Sequence, residues 1–262
     1  VELMRETGIL EHVIPELLEG IGVDQNLHHI YTVWEHNLRA LKYTVEKKYS
    51  LAVRLAALLH DVGKPRTKRG EGKYSTFYGH DAVGARMAIK IADRLKFPGD
   101  IADRVTRLVR YHLFYYNVGE VTESSVRRLL MKVGSENMDD LLRVREADRI
   151  GSGTPKAVPY KLRHLKYVID KVSHDPISVK MLKVRGDDIM KILDILPGPK
   201  IGLILNSLLA EVLDDPALNT TEWLNRRVKE LNEKSPEELR QALARIAEAQ
   251  EEEEKERMKK YY

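Results

Sequence analysis

The chain has 262 residues, a formal net charge of +4, and 43% hydrophobic and 32% charged residues, so it can bury a core and is not expected to be disordered. It contains no cysteine, which excludes disulfides and thiolate metal sites, and its few glutamines among many Glu, Lys and Arg residues fit a thermophile. No apolar run could cross a bilayer and no signal-peptide pattern opens the chain, so we expect a cytoplasmic protein without a membrane partner.

The apolar spacing is helical along nearly the whole chain, which predicts an all-α fold. Leucine, alanine and arginine are frequent, and no alternating strand pattern appears. A loop rich in Gly, Lys and Arg is predicted over residues 64–79. The other elements predicted in the first part of the chain are helices, at about residues 1–9, after Pro15, and at 26–48, 51–60, 80–95, 99–111, 125–133 and 136–150.

Residues 151–155, with the sequence Gly-Ser-Gly-Thr-Pro, interrupt the helical pattern and mark the predicted domain boundary. We therefore expect a helical bundle over residues 1–150, a smaller helical tail domain over 151–234, and a charged C-terminal helix over 235–262. Ser235 is predicted to cap this last helix. The helices predicted in the tail domain lie at residues 161–173, 180–184, 187–193, 200–214 and 221–232.

The most informative motif is the adjacent pair His60-Asp61. The apolar run before it, residues 51–59, is typical of a buried helix that Ser50 caps and Gly63 ends. Two polar side chains therefore stand at the inner end of an apolar helix, where burial is costly unless something binds them. A metal ion is the simplest partner for an imidazole nitrogen and a carboxylate side by side.

Four further residues on separate helical patterns could complete a metal site: His36, His80, His112 and Asp148. The histidines have simpler explanations when each is taken alone. His36 could be a core histidine bonded to a backbone carbonyl, His80 could cap a helix, and His112 could be favoured by the dipole of a helix end. Taken together with His60 and Asp61, the set favours a metal site over scattered polar residues.

In chain order, the six residues resemble the HD superfamily of metal-dependent phosphohydrolases, which implies a helical domain with a hydrolytic metal centre. Asp61 is the candidate bridge between two divalent ions and a predicted catalytic residue, since bridging carboxylates are typical of two-metal hydrolases. The resemblance implies two ions because it includes the extra histidines of the binuclear subgroups. The other ligands would divide between the ions, with His36, His60 and Asp148 on one and His80 and His112 on the other. Nitrogen and carboxylate ligands without sulfur suit Mn, Fe, Ni, Co or Zn, and Mg less well.

Positively charged residues surround the candidate ligands, since residues 64–110 contain twelve Lys and Arg against five Asp and Glu. This excess favours a phosphate-bearing substrate, although arginines on a solvated helix face would give the same count. Lys64, just beyond Asp61, could bind a phosphate oxygen and stabilise developing charge as a second catalytic residue, or it could be a loop lysine in solvent. Lys68, Arg69 and Arg110 could hold phosphates further out, and His29, seven residues before His36, could reach the pocket and contact the substrate.

A second set of motifs extends beyond the metal ligands. It comprises residues 33–41 (VWEHNLRAL), 64–65 (KP), 76–80 (TFYGH), 184–189 (VRGDDI), 197–206 (PGPKIGLILN) and 215–220 (DPALNT). These segments resemble the C-terminal part of bacterial tRNA nucleotidyltransferases, the CCA-adding and poly(A) polymerase-like family, over roughly residues 1–232. The distal segments are the more specific part of the match, because they have no catalytic reason to recur.

The catalytic head of that family has no counterpart here, because Gly134-Ser135 is not followed by an Asp-x-Asp pair. We therefore expect that the chain cannot add nucleotides alone, and that it is a fragment without its nucleotidyltransferase domain or a stand-alone relative. The resemblance implies phosphatase and 2′,3′-cyclic phosphodiesterase activity, and a tRNA-holding role for the distal helices. Residues 151–200, with ten Lys and Arg against five Asp and Glu, could contact RNA or form an ordinary packing domain.

The motifs leave three functional hypotheses and the oligomeric state open. The leading hypothesis is a metal-dependent phosphohydrolase, of the phosphatase or 2′,3′-cyclic phosphodiesterase type, linked to tRNA or RNA-end processing. The alternative is a tRNA-binding C-terminal portion of a tRNA nucleotidyltransferase with a structural or vestigial metal site. The third is a signalling-nucleotide phosphodiesterase, against which the distal segments argue.

Overall fold

The computed structural model describes residues 1–26, 30–154 and 157–259. Within these ranges the chain forms α-helices and short 3₁₀ turns but no β-strand, which confirms the predicted all-α fold. The helices are α1 (Glu2–Glu6), α2 (Leu10–Val13), α3 (Val33–Glu46), α4 (Leu51–Leu59), α5 (Lys64–Thr67), α6 (His80–Arg94), α7 (Gly99–Tyr111), α8 (Glu123–Val133), α9 (Ser135–Gly151), α10 (Tyr160–Val172), α11 (Gly186–Leu193), α12 (Pro199–Asp214), α13 (Thr221–Asn232) and α14 (Pro236–Lys259). The 3₁₀ turns span Pro15–Gly20, Gly72–Tyr74, Val179–Met181 and Pro216–Leu218.

The chain forms two compact units. The first contains residues 1–114 and 133–163, and the second contains residues 115–132 and 164–262. The predicted domains, with boundaries at residues 150 and 234, stay a prediction, because compactness alone does not define separately folding domains. None of the described helices is long and apolar enough to cross a membrane.

In the first unit, three helices pack closely around small residues. Helix α3 packs against α4 and α9, and α4 also contacts α7 and α9. Ala40 on α3, Ala57 on α4 and Ala147 on α9 form a fully buried cluster. Because alanine side chains are short, the helix axes can approach closely here. His36 and Asp61 each lie four residues, about one helical turn, from an alanine of this cluster, so the packing brings them near each other.

Helix α3 begins later than predicted. The predicted helix started near Asn26, whereas the structure begins it at Val33, and residues 27–29 lie outside the described ranges. Thr32 and Glu35 form a capping box, in which the Glu35 backbone N–H donates to Thr32 Oγ1 (3.3 Å) and the Thr32 backbone N–H donates to Glu35 Oε2 (2.9 Å). This cap satisfies the first free N–H groups of the helix, so the helix starts here although the apolar spacing extends upstream.

Other predicted elements also differ from the structure, and the helix predicted after Pro15 is the 3₁₀ turn Pro15–Gly20. The predicted loop over residues 64–79 contains α5 and a 3₁₀ turn, and Arg69 and Thr76 exchange two backbone hydrogen bonds of 2.9 Å. The helix predicted over residues 180–184 is wrong, because only the 3₁₀ turn Val179–Met181 forms there. The Asn219 side chain accepts from the Lys183 backbone N–H (2.9 Å) and donates to the Met181 carbonyl (3.1 Å), so these backbone groups are bonded outside a helix.

In the second unit, α12 contacts α11, α13 and α14. Arg127 is buried and donates to the backbone carbonyls of Leu213 (2.7 Å) and Asp214 (3.1 Å), which satisfies acceptors at the end of α12. The predicted start of the last helix is confirmed. The Glu238 backbone N–H donates to Ser235 Oγ (3.2 Å), and the Ser235 backbone N–H donates to Glu238 Oε2 (2.6 Å).

Candidate metal centre

The predicted ligands lie on helices of the first unit, most of them at helix ends. His60 directly follows α4 and His112 directly follows α7, whereas His80 is the first residue of α6. Helix α7 packs against both α4 and α6, which draws these three ends together. His36 lies in the first half of α3, and Asp148 lies in the last turn of α9, the helix that packs against α3.

The structure brings all six predicted ligands together in two groups of three. Within each group, the candidate ligand atoms lie within 4.8 Å of one another. The groups are His36, His60 and Asp148, and Asp61, His80 and His112. All are buried except Asp148, which is half-buried. Helix packing therefore gathers residues that are far apart in sequence into one dense cluster of nitrogen and oxygen donors.

Asp61 lies between the two groups and turns one carboxylate oxygen toward each. Its Oδ2 is 3.2 Å from His36 Nε2 and 3.3 Å from His60 Nε2. Its Oδ1 is 3.3 Å from His80 Nε2 and 3.6 Å from His112 Nε2. A carboxylate that bridges two ions offers one oxygen to each, so the geometry supports the predicted role of Asp61 as a bridge.

Three of the histidines have their Nδ1 atom bonded to the backbone. These atoms lie 2.7 to 2.8 Å from the carbonyl oxygen three positions earlier, with His60 on Ala57, His80 on Phe77 and His112 on Val109. A carbonyl oxygen can only accept, so Nδ1 bears the hydrogen, and whenever the ring is neutral its Nε2 presents a lone pair. These backbone bonds thus orient three Nε2 atoms toward Asp61.

This arrangement of acceptors fits a divalent cation. The Nε2 atoms of His80 and His112 are 3.3 Å apart, and in the neutral rings neither can donate to the other. Buried acceptors without a donor are costly, and a cation satisfies several of them at once. A metal-binding histidine usually donates a hydrogen bond from its other ring nitrogen, and this bond fixes the tautomer. The donor set of imidazole and carboxylate suits Mn, Fe, Co, Ni or Zn.

The charges around the cluster keep its carboxylates ionised. Burial raises the pKa of Asp61, but the Lys64 ammonium and His60 outweigh burial and hold this pKa well below its usual value. Burial also raises the pKa of Asp148, and the Arg145 guanidinium, together with the histidines, reverses the effect and lowers that pKa. Both carboxyl groups therefore carry the negative charge that a cation needs.

The pKa values of the imidazoles in the cluster shift in two directions. Burial lowers the pKa of His36 and His112, because a protonated ring is poorly solvated in the interior. Burial acts in the same direction on His60, but the negative charges of Asp61 and Asp148 outweigh it and raise the pKa of His60. His36 and His112 are thus held in the neutral form, which is the form that binds a metal.

Lys64 is buried beside the candidate bridge and is not a solvated loop lysine. Its Nζ lies 2.7 Å from Asp61 Oδ2 and donates to Gln25 Oε1 at 2.7 Å. The Lys64 backbone N–H also donates to the Asp61 carbonyl (2.9 Å), which keeps the two side chains on one turn of backbone. Sequence reasoning missed Gln25, for which the only signal was that glutamine is rare in this chain.

Arg145 is a second residue that sequence reasoning missed. It donates from Nη1 to Asp148 Oδ2 at 2.7 Å, while Asp148 Oδ1 lies 3.4 Å from His36 Nε2. One oxygen of Asp148 is thereby held by the arginine, and the other faces the cluster. The spacing of three residues on α9 could have indicated this ion pair, because side chains three apart meet on a helix surface.

The other predicted substrate-binding residues lie outside the ligand cluster. Arg110 is partly exposed and forms an ion pair with Asp81. Lys68 is half-buried and Arg69 is exposed, both in the segment between α5 and α6, and no ion pair to either is seen among the residues that the structure describes. His29 lies outside the described residues. Their predicted contacts with substrate stay predictions.

The fold and the cluster define an HD domain. Residues 33–152 match the family model described as "HD domain". HD domains form a superfamily of metal-dependent phosphohydrolases and bind divalent metals, so the chain contains a domain of this superfamily. The matched range begins at α3 and ends just after α9, and it includes all six candidate ligands.

More specifically, the chain is homologous to the HD-containing region of CCA-adding tRNA nucleotidyltransferases. It is 33% identical over 210 residues to the A-adding tRNA nucleotidyltransferase of Deinococcus radiodurans, which covers 77% of this chain and 47% of that protein. It is 30% identical over 213 residues to the CC-adding tRNA nucleotidyltransferase of Thermus thermophilus, with 80% and 47% covered. It is also 30% identical over 169 residues to the multifunctional CCA protein of Neisseria meningitidis, with 62% and 40% covered. These matches confirm the predicted resemblance, and the chain spans about half the length of these relatives or less.

Proposed function

We propose that this protein is a metal-dependent phosphohydrolase, of the phosphatase or 2′,3′-cyclic phosphodiesterase type, that acts at the end of a tRNA or another RNA. The observation that carries the proposal is the position of Asp61, which turns one carboxylate oxygen toward each of two histidine pairs. A hydrolase with two ions needs this arrangement, because both ions must share a ligand and keep positions for water and substrate.

Each part of the cluster has a role in this proposal. His36, His60 and Asp148 would hold one ion, His80 and His112 would hold the other, and Asp61 would bridge them. When bound, divalent ions supply Lewis acidity toward phosphoryl oxygens and activate water as a nucleophile. In the reaction, a water oxygen bonds to phosphorus, one ester P–O bond breaks, and the released oxygen takes a proton.

The remaining residues position the ligands and the substrate. Lys64 is close enough to Asp61 to stabilise the negative charge that develops on a phosphoryl oxygen at the centre. Arg145 holds one oxygen of Asp148 so that the other faces the histidines. Lys68, Arg69 and Arg110 would contact phosphates further along an RNA substrate.

The test combines metal content with hydrolysis. Purified protein is analysed for bound elements and assayed with 2′,3′-cyclic AMP and bis-p-nitrophenyl phosphate in the presence of Mn²⁺ or Ni²⁺. We expect about two bound ions per chain and turnover that the Asp61→Ala variant loses. The matched control is Asp93→Ala, because Asp93 is exposed on α6. Turnover that survives Asp61→Ala would disprove the proposed site.

A second candidate function rests on the homology. Because the relatives named above are tRNA nucleotidyltransferases, the chain could serve as a tRNA-binding portion in which the metal site is structural. Under this alternative, tRNA binding would weaken steeply with salt and would be unchanged in Asp61→Ala. Binding of tRNA without any hydrolysis, across all the metals tried, would favour the alternative.

A further inference from the structure

We propose that Gln25 is a positioning residue that controls how tightly Lys64 pairs with Asp61, and thereby how tightly the site binds a divalent cation. This inference rests on the proposed function, because it assigns Asp61 a metal-binding role. It concerns a residue that belongs to neither group of candidate ligands.

Lys64 carries a buried ammonium group. Lys64 is 4% exposed and Gln25 is 6% exposed, so neither side chain relies on bulk water for its partners. Lys64 Nζ contacts Asp61 Oδ2 and Gln25 Oε1, both at 2.7 Å, and lies 5.6 Å from the centre of the Phe77 ring. A lysine ammonium can only donate, and its hydrogen bond goes to Gln25 Oε1, whereas its contact with Asp61 Oδ2 is an ion pair.

The orientation of Gln25 is fixed at both ends of its amide. Its Nε2 donates to the Tyr31 carbonyl at 3.1 Å, and its Oε1 accepts from Lys64. A flipped amide would place an NH₂ group against the ammonium and an oxygen against a carbonyl, which is unfavourable at both contacts. Tyr31 precedes the Thr32 cap of α3. Gln25 therefore holds Lys64 in a fixed relation to the helix that bears His36.

The same carboxylate oxygen serves both Lys64 and the histidine group that would hold one ion. Asp61 Oδ2 is 2.7 Å from Lys64 Nζ and 3.2 Å from His36 Nε2. A cation bound there and the Lys64 ammonium would share the negative charge of one oxygen. By accepting a hydrogen bond from Lys64, Gln25 reduces the demand of the ammonium on Asp61.

Two substitutions of Gln25 should act in opposite directions. In Gln25→Leu, the ammonium loses one acceptor and pairs more tightly with Asp61, so we expect Mn²⁺ affinity and kcat to fall by about 10- to 100-fold, the usual effect of losing an outer partner of a metal ligand. In Gln25→Glu, the oxygen that accepts from Lys64 gains negative charge and draws the ammonium away from Asp61, while the hydrogen bond to the Tyr31 carbonyl is lost. We therefore expect Mn²⁺ affinity at or above that of the unmodified chain.

The decisive measurement is a double-mutant cycle with Lys64. Mn²⁺ affinity is measured by calorimetry for Gln25→Leu in the unmodified chain and in a Lys64→Met background. If Gln25 acts through Lys64, Gln25→Leu should have no effect once the ammonium is absent. The matched control is Gln241→Leu, because Gln241 is exposed on α14, and circular dichroism checks that every variant is folded.

The outcomes separate this inference from the proposed function. Equal losses in both backgrounds would mean that Gln25 supports the fold and not Lys64, which overturns the inference. So would an unchanged Mn²⁺ affinity in Gln25→Leu. If the unmodified chain neither binds Mn²⁺ nor hydrolyses 2′,3′-cyclic AMP, the proposed function fails, and the inference fails with it.

Discussion

Among single residues, Arg145 shows how a side chain outside the cluster can decide the direction of a ligand. It is bonded to Asp148 Oδ2, and the pKa of Asp148 is lowered by this guanidinium and the nearby histidines against the effect of burial. Without Arg145, Asp148 would be free to rotate, and its charge would be less favourable in a half-buried position.

We expect Arg145→Met to weaken Mn²⁺ binding by about 10- to 100-fold, as for other residues that orient metal ligands. Titration calorimetry gives the affinity. The matched control is Arg143→Met, since Arg143 lies on the same helix and pairs instead with Asp140. Equal losses in the two variants would show that the effect comes from helix charge and not from the orientation of Asp148.

The residues of the site were predictable to different degrees. His60-Asp61 could be inferred because polar residues at the inner end of an apolar helix need a partner. The other four ligands were inferred from their order along successive helical patterns, which resembles the HD superfamily. Gln25 and Arg145 were missed, because neither is a candidate ligand and each acts through the residue it bonds to, Lys64 and Asp148 respectively. Gln25 is 39 positions from Lys64, and no local spacing indicates a contact over that separation.

Among the helices, the start of α5 and the start of α6 approach so closely that only glycine, which has no side-chain carbon, fits at position 63. A side-chain carbon added at Gly63 would lie 2.2 Å from the His80 carbonyl oxygen and 2.6 Å from the Gly84 nitrogen, both backbone atoms. Such contacts cannot be accommodated by a side-chain rotation. The first turn of α6, with His80, would have to move away from the segment that bears Asp61.

We expect Gly63→Ala to destabilise the protein and to weaken Mn²⁺ binding, because the distance between Asp61 and His80 would increase. Thermal unfolding and calorimetry measure the two effects. Gly202→Ala is the matched control, since Gly202 lies within α12 with open space around it and alanine favours a helix by up to about 1 kcal/mol. Unaltered metal binding in Gly63→Ala would contradict the close approach.

An ion pair between α6 and the first 3₁₀ turn makes the stability of the fold depend on pH. Arg94 at the end of α6 forms two bonds to Glu16 in the first 3₁₀ turn, at 2.9 and 2.7 Å. Burial raises the pKa of Glu16, but the hydrogen bond and charge of Arg94 outweigh it and lower this pKa below its ordinary value of 4.5. The ion pair therefore stabilises the fold above pH 4.5, and this contribution is lost as the pH falls through the lowered pKa.

We expect Glu16→Gln to lower the stability by at most about 1 kcal/mol at pH 7, because the pair is partly exposed. The difference from the unmodified chain should vanish in acid, where Glu16 is protonated. Thermal unfolding at several pH values measures it, with Glu11→Gln as the control, since Glu11 is exposed on α2. A difference that persists in acid would show that the ion pair is not its cause.

The helices themselves were largely predictable, and their limits were less so. Apolar periodicity and the Ser50 and Ser235 caps gave α4 and the start of α14. The start of α3 was misplaced, because the Thr32–Glu35 capping box overrides apolar spacing that continues upstream. The helix predicted over residues 180–184 is only the 3₁₀ turn Val179–Met181, because the Asn219 side chain, 36 positions from Lys183, bonds to the backbone there and no local spacing indicates this contact.

For the whole molecule, the relatives named above are nucleotide-adding enzymes about twice as long as this chain. Gly134-Ser135 forms the start of α9, where Gly134 adopts a φ of +85° and Ser135 is the first helical residue. These two residues therefore form the N-terminus of a helix and not a nucleotide-binding motif.

We expect this polypeptide alone not to extend a tRNA that lacks its terminal CCA when it is given CTP, ATP and Mg²⁺. Extension in a primer assay would contradict this expectation.

The candidate ligands belong to five helices or their ends, and they span the sequence from His36 to Asp148. In an unfolded chain these side chains are scattered, so a divalent ion would bind the native state in preference to the unfolded one, and binding would be thermodynamically linked to folding. At a free ion concentration 100 times the Kd, this linkage adds about 2.7 kcal/mol. For a chain of 262 residues, we expect Mn²⁺ to raise Tm by on the order of 5–10 °C, an increase that EDTA should reverse and Asp61→Ala should abolish. The cation would then act as a cross-link that closes the helical bundle, and the ligands that bind it would also raise the thermal stability of the helices that they join.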